Sequence, residues 1–195
     1  MKDNNKKIVI GISGASGAAF GVRLLEELGK AGAESHLIVS RWGAYTIEHE
    51  TDCSLDEVYA LAAHVYDEDD IAAAISSGSF PIDAMAVVPC SMKTLAGIAS
   101  GFSEDLIMRA ADVCLKERRP LILAVRETPL SKIHIENMLK ATEAGAICMP
   151  PMPALYTRPK SVDEIVTQSV LRIMDKLGVS PGTGLKRWGG DNEIE

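Results

Sequence analysis

Gly11-Ile-Ser-Gly-Ala-Ser-Gly-Ala-Ala-Phe-Gly21 is the stretch from which the fold is read. Before it, Lys6-Lys-Ile-Val-Ile10 is a short β-branched run, as expected of a strand buried on both faces in a parallel sheet. After it, Val22-Arg-Leu-Leu-Glu-Glu-Leu28 spaces its apolar residues as a helix does. Strand, Gly-rich turn and helix together form a phosphate-cradling geometry. Glycines let the backbone come close to a phosphate, and free N–H groups at the helix start point at it. Ser13 and Ser16 add hydroxyls, and either is suited to cap the helix. The spacing is GxxGxxG, unlike the GxGxxG of dinucleotide enzymes and the GxxxxGK[ST] of nucleotide-binding loops. A tight turn with close helix–sheet packing and no ligand is the competing reading.

Outward from this stretch, strands and helices alternate. Glu34–Ser40 reads as the second strand and ends at Ser40-Arg41-Trp42. Gly43–Glu50 is an expected helix, and Ser54 with Glu57 three residues on marks another helix start. Val65–Ile75 is acidic, Ala-rich and unassigned, and Ile75–Pro81 reads as a loop. Ala84–Val88 is an expected strand stopped by Pro89, followed by a helix over Leu95–Ser100 that Cys90-Ser-Met-Lys-Thr94 opens. A long helix is expected over Asp105–Glu117, with Arg109 and Lys116 seven positions apart on one face. Pro120–Val125 and Ala146–Met149 read as strands, and Ile133–Ala144 and Val162–Leu177 as helices. The pattern predicts one three-layer α/β domain over 1–195, with a mainly parallel sheet and a C-terminal tail over 179–195. In such sheets ligands sit beyond the carboxyl ends of the strands. The polar clusters Ser13/Ser16, Ser40/Arg41, Ser91/Lys93/Thr94 and Arg126/Glu127 all fall there.

Composition narrows the function classes. The chain has 195 residues, 47% hydrophobic and 24% charged, as expected of a folded soluble domain. No signal peptide or membrane span is expected. A net charge of -7 offers no basic field for nucleic acid, whereas a small anion needs only a local cluster of cations. Cys53, Cys90, Cys114 and Cys148 form no CxxC pair, which favours a reducing cytoplasm and disfavours a zinc or disulfide framework. His36, His49, His64 and His134 show no metal-ligand spacing.

Several segments together resemble the UbiX-type flavin prenyltransferases. They are Gly11–Ala18, Ser40, Glu50-Thr51-Asp52, Pro89–Leu95, Arg109–Asp112, Leu115–Arg118, Arg126-Glu-Thr-Pro129, Ile133–Leu139 and Pro153–Tyr156, in the family's order over nearly the whole chain. Ile75–Phe80 and Ser91–Gly97 look closest to the branch of that family associated with hydroxyarylic acid decarboxylases. The resemblance implies a Rossmann-like (flavodoxin-like) flavoprotein that binds FMN. It implies transfer of a dimethylallyl group from dimethylallyl phosphate to N5 and then C6 of the reduced flavin. It also implies no metal requirement, a homo-oligomer of dodecamer size, and delivery of prenylated FMN to a UbiD-type decarboxylase.

The resemblance assigns roles to individual residues. Gly14, Ala15 and Ser16 match flavin contacts in the first turn, completed by Ser40, Ser91, Met92, Lys93, Thr94 and Arg126. Ser16 matches a position near N5, where its hydroxyl would relay a proton. Arg109, Lys116, Arg126 and Arg172 match basic, prenyl-phosphate residues, with Tyr156 as a hydrogen-bond donor to the phosphate. Glu127 would protonate a phosphate oxygen, and Glu50 would serve proton transfer during ring closure. Capping is the competing reading for Ser16, Ser91 and Thr94, a solvated helix face for Arg109 and Lys116, and an ion pair with a nearby Arg for Glu50 and Glu127. Arg172, far along the chain, suggests that a neighbouring subunit completes the site. Some ubiquinone-branch members carry a Trp near the position aligned with Ile71, and Trp42 or Trp188 are the aromatic substitutes. A non-catalytic FMN-binding accessory subunit of a hydroxyarylic acid decarboxylase is the main alternative. A peptidyl-cysteine decarboxylase relies on a catalytic His and different motifs, and a nicotinamide dehydrogenase lacks its GxGxxG here.

Overall fold

The apolar run that opens the chain becomes a central strand. The computed structural model describes residues 6–189, so residues 1–5 and 190–195 of the expected domain lie outside the described residues. β1 (Lys7–Ile12) pairs with β2 (Glu34–Val39) on one side and β4 (Ala84–Cys90) on the other. β3 (His64–Tyr66) extends the sheet beyond β2, and β5 (Leu121–Val125) and β6 (Ile147–Cys148) extend it beyond β4. All five ladders are parallel and the order is β3-β2-β1-β4-β5-β6, a doubly wound sheet whose winding reverses between β1 and β4.

Alternation along the strands builds two cores. Ile8, Ile10 and Ile12 of β1, with Ala84, Ala86 and Val88 of β4, face α1 (Ala18–Lys30) and α7 (Val162–Leu177). Val9, Met85, Val87, Leu121 and Leu123 face α4 (Met92–Ser100) and α5 (Leu106–Lys116) on the other side. With both faces covered, the strands read as unbroken apolar runs. The remaining helices are α2 (Arg41–Glu50), α3 (Leu55–Ala60) and α6 (Lys132–Glu143). The expected capping box of Ser54 and Glu57 starts α3. A second box starts α6, where His134 Nδ1 accepts from the Ser131 N–H at 3.2 Å, which gives that histidine a structural task. No helix among the described residues is long and apolar enough to cross a membrane. Cys53, Cys90, Cys114 and Cys148 are all free thiols, and burial pushes Cys114 up to about 12.

Three expectations are corrected. β4 continues through Pro89 to Cys90, because the register slips between Val87 and Cys90, where a residue lacking an N–H is tolerated. His64–Tyr66, which no expected element covers, forms the edge strand β3, three residues long and mostly exposed. α1, α2 and α4 each begin ahead of the expected position, since small or polar residues fill the first turn.

Gly21 shows why the first helix needs its small residues. A Cβ there would run into the Val88 carbonyl oxygen of β4 and press on the Ile12 side chain. Gly21→Ala should therefore lower unfolding stability by about 1–3 kcal/mol, the usual cost of overpacking, measured as a drop in urea midpoint at unchanged m-value.

Candidate active site

The cleft lies where the winding of the sheet reverses. Beyond β1, Ser13 folds back onto β4: its hydroxyl donates to the Pro89 carbonyl at 2.9 Å and accepts from the Ser91 N–H at 2.8 Å. That contact sets the Gly14-Ala15-Ser16 turn beside the start of α4. Ser91 caps α4 through the Thr94 N–H, and the Ser91 and Thr94 hydroxyls lie 3.1 Å apart. After β5, the Arg126 N–H donates to the Cys90 carbonyl at 3.1 Å and its Nε to the Ser16 carbonyl at 3.0 Å. Arg126 thus locks the third strand end to the first.

These three strand ends and the loop after β6 enclose a cleft of about 790 Å³, lined by Gly14, Ala15, Ser16, Ser91, Met92, Val125, Arg126, Glu127, Thr128, Leu130 and Pro150–Met152. Pro150, Pro151 and Met152 also wall a smaller cavity of about 160 Å³, which Tyr156, Gln168, Ser169 and Arg172 complete. The larger space adjoins the smaller across one short Pro-rich segment.

The start of α1 departs from expectation. Gly17 is the N-cap in the left-handed region, φ 107°, and neither Ser13 nor Ser16 caps the helix. Glu50, from the end of α2, takes that place: its Oε2 accepts from the Gly17 N–H at 2.7 Å and the Ala18 N–H at 3.1 Å. The anion at this helix start is therefore a carboxylate of the chain itself. Partial burial acts to raise the Glu50 pKa, but the Gly17 and Ala18 N–H groups, the Ser16 hydroxyl and the Arg126 charge outweigh it. Its pKa ends below the ordinary carboxylate value, so Glu50 is ionised at neutral pH and has no proton to give.

The structure gathers Gly14, Ala15, Ser16, Ser91, Met92, Arg126 and Glu127 in one cleft, and Tyr156 and Arg172 in its neighbour. Glu127 is exposed at the rim, its Oε1 accepting from the Thr128 N–H at 2.9 Å. The other expected residues stand apart. Ser40 caps α2 through the Gly43 N–H, and Thr94 is buried behind Ser91. Lys93 points outward, 3.5 Å from Asp105 and 3.6 Å from Glu104. Arg109 bonds the Ser76 carbonyl at 3.2 Å and Asp112 at 3.1 Å. Lys116 pairs with Glu117 at 2.6 Å at the far end of α5, towards the amino end of β5. Within one chain, then, Arg109 and Lys116 do not line either cavity.

Some surroundings are not legible from sequence. Thr128 and Leu130 line the cleft beside the expected Arg126 and Glu127, and the Pro150–Met152 run walls both cavities. Arg172 is held by Asp175 at 2.9 Å, and Asp175 also binds Arg187 at 2.6 Å. Gln168 clamps the backbone of Lys186, donating to its carbonyl at 2.7 Å and accepting from its N–H at 3.2 Å. The tail is thereby folded onto the smaller cavity, with Trp188 edge-on to Tyr156 at 5.7 Å. Trp42 sits against Gly14, exposed, with its Cβ where a Gly14 side chain would fall. Ile71 is exposed as well. The spacing of the histidines is misleading: strand pairing sets His36 opposite His64, with Glu34 beside both.

The donor set suits FMN. The cleft volume lies in the range of cofactor pockets. The Arg126 guanidinium, the Ser16, Ser91 and Thr128 hydroxyls and the open start of α4 can meet anionic and carbonyl groups, while Met92, Leu130 and Met152 offer apolar faces to a ring system.

Because its folded pKa is lowered, Glu50 contributes stability that is present above its unfolded pKa and lost as pH falls through the lower folded value. Removing the cap with Glu50→Ala should cost about 1 kcal/mol at pH 7. In thermal melts, the gap between wild type and Glu50→Gln should be full at neutral pH and close as pH drops below about 4.

The family model described as "Flavoprotein" matches residues 1–174. A Bacillus subtilis (strain 168) protein, "Probable UbiX-like flavin prenyltransferase", is 54% identical over 184 residues, covering 94% of this chain and 90% of its own. The crystal structure of "AnUbiX (PadA1) in complex with FMN and dimethylallyl pyrophosphate" superposes with a TM-score of 0.93 at 49% identity, covering 95% of this chain and 98% of that one. A "dodecameric FMN-dependent Ubix-like Decarboxylase from Escherichia coli O157:H7" superposes at 0.91 with 49% identity, covering 94% and 100%.

Proposed function

The chain belongs to the Flavoprotein family and, within it, to the UbiX-type flavin prenyltransferases, and from that premise we propose that it joins the dimethylallyl group of a dimethylallyl phosphate ester to N5 and C6 of reduced FMN. The observation that carries this reading is the pair of adjoining cavities: a flavin-sized cleft with Arg126 and Glu127 at its rim, and a smaller one holding Tyr156 and Arg172. The solved relative described as holding both FMN and dimethylallyl pyrophosphate supports a site that takes both a flavin and a dimethylallyl donor.

Bound reduced FMN supplies the nucleophilic positions that take the five-carbon group. The residues do the rest. The α4 start and the Ser91 hydroxyl hold the cofactor in the cleft, and Arg126 places its charge where anionic groups collect. Tyr156 and Arg172 hold the donor phosphate. As the C1–O bond breaks, its electron pair leaves with the phosphate, and Glu127 delivers a proton to a phosphate oxygen. Met92, Leu130 and Met152 keep water from the allylic cation. On ring closure one carbon of the prenyl double bond would take up a proton as C6 joins the other and gives up its own; Ser16, beside ionised Glu50, would relay that leaving proton to the carboxylate. Prenylated FMN then passes to a UbiD-type decarboxylase in the cytoplasm. The whole chain, 1–195, acts as one flavoprotein domain with 179–195 as its tail.

The test is an anaerobic incubation with FMN, dithionite and dimethylallyl mono- or diphosphate, read by mass spectrometry of the flavin. A product heavier by one prenyl unit, absent with Glu127→Gln, is the expected result. The arm that gives product identifies the phosphate form. Tightly bound but unchanged FMN with both donors would favour the accessory-subunit reading.

Arg109 and Lys116 reach a phosphate only if an adjoining copy brings them, and the dodecameric relative supports an oligomer. Co-expressing Glu127→Gln with Lys116→Ala should therefore rebuild activity in mixed oligomers. Recovery should approach about a quarter of wild type for equal random mixing across a head-to-tail contact. Mixed oligomers as inactive as the separate variants would mean that Lys116 does not serve the site of an adjoining copy.

A further inference from the structure

At the amino end of the sheet, opposite the cleft, three nitrogens converge on one carboxylate oxygen. Glu34 Oε1 lies 3.2 Å from His36 Nε2, 3.2 Å from His64 Nε2 and 3.2 Å from Lys7 Nζ. A carboxylate oxygen has two lone pairs, so three N–H donors cannot all be satisfied there. His36 is 1% exposed, and its Nε2 has no hydrogen-bond partner among the described residues although it lies 3.2 Å from that oxygen. Its Nδ1 lies 2.9 Å from the Tyr66 hydroxyl. If Nδ1–H donates to that hydroxyl, Nε2 presents a lone pair to the carboxylate. A lone pair facing a carboxylate in a buried place is a costly contact that a cation would relieve.

We propose that Glu34, His36 and His64 form a binding site for a zinc-like divalent cation that clasps the edge strand β3 to β2. The residue types are the His₂Glu set that zinc accepts, with water in the fourth position. With metal–ligand bonds of about 2.0–2.2 Å, neighbouring ligand atoms of a tetrahedron stand about 3.3–3.5 Å apart. The two Glu34–His separations of 3.2 Å come close to that, and all three ligand atoms lie within 4.8 Å of one another. Tyr66 plays the outer partner that orients a ligating imidazole. His64 is half exposed and gives the ion a way in. Lys7 neutralises Glu34 in the absence of metal and is displaced outward on binding. It has somewhere to go, since its ammonium already lies 5.4 Å from the Phe80 ring centre. The clasp spans the chain from β2 through α2 and α3 to β3, and so ties down a strand of only three residues.

The experiment uses the full chain, stripped with chelator and titrated with Zn²⁺ by calorimetry and with Co²⁺ by its visible absorbance. The expected result is one ion per chain, an intense tetrahedral Co²⁺ band and a higher melting temperature. His64→Ala and Glu34→Gln should each weaken binding at least about tenfold, and Tyr66→Phe by about tenfold. Lys7→Met should tighten it, which no purely proton-sharing role for the cluster predicts. His49→Ala, remote and exposed, should change nothing. His64 is a surface side chain, so that variant is expected to fold, and its flavin content reports that it has. Equal affinity in wild type and His64→Ala, no tetrahedral band, or loss of binding in His49→Ala would each overturn the site.

Discussion

Everything at the cleft depends on a hydroxyl that bridges two strands just as they part. Ser13 Oγ is buried, donates to the Pro89 carbonyl and accepts from the Ser91 N–H. In a doubly wound sheet the connections leave β1 and β4 towards opposite faces, which opens a crevice between them. Backbone pairing ends there, so polar groups on both strand ends need partners. One side chain meets both needs and holds the two edges of the crevice at a set distance. Arg126 then repeats the device from β5 by reaching the Ser16 carbonyl.

The helix starts around this crevice are used unequally. α2 and α4 are capped by local serines, Ser40 and Ser91. α1 has no local cap, and the chain supplies Glu50 from another helix. The carboxylate stabilises the exposed N–H groups, and those N–H groups lower the carboxylate's proton affinity. Capping the helix and keeping Glu50 ionised are therefore one interaction. Anion binding from a ligand is left to the remaining N–H groups of the α4 start and to Arg126, which lies in the lining of the cleft.

Much of this is legible in the sequence for physical reasons. Buried parallel strands leave apolar runs, which is why β1, β2 and β5 stand out. Ser54 with Glu57 signals a helix start through local hydrogen bonds alone. The site residues cluster at strand ends because that is where the sheet opens. What escapes is long-range. β3 is too short and too exposed to carry a pattern, and its pairing is decided by β2. Glu50 as the cap of α1, thirty-two or more residues away, has no local signal. The hold of Gln168 on Lys186, and of Asp175 on both Arg172 and Arg187, arises only when the tail folds back on α7. Arg109 and Lys116 share a helix face as expected, yet that face turns from the cleft, which no single-chain periodicity could reveal.

The two ends of the sheet carry separate chemistry for a topological reason. In a parallel sheet every strand points the same way, so the carboxyl ends collect the turns that open helices, with their N–H groups and cations. The amino ends receive strands entering from helix C-termini, where the backbone offers carbonyls instead. Such an end has little use for an anion and readily accommodates cations. Lys7, His36 and His64 gather there around the carboxylate of Glu34. Parallel pairing forces the convergence, because the register that places Lys7 beside Glu34 and His36 beside His64 is the same register that buries Ile10, Leu37 and Ile38. Slipping one strand to relieve the crowding would turn its apolar residues to the wrong face. The crowded cluster is held in place by the core of the sheet, at the opposite end from the flavin-sized cleft.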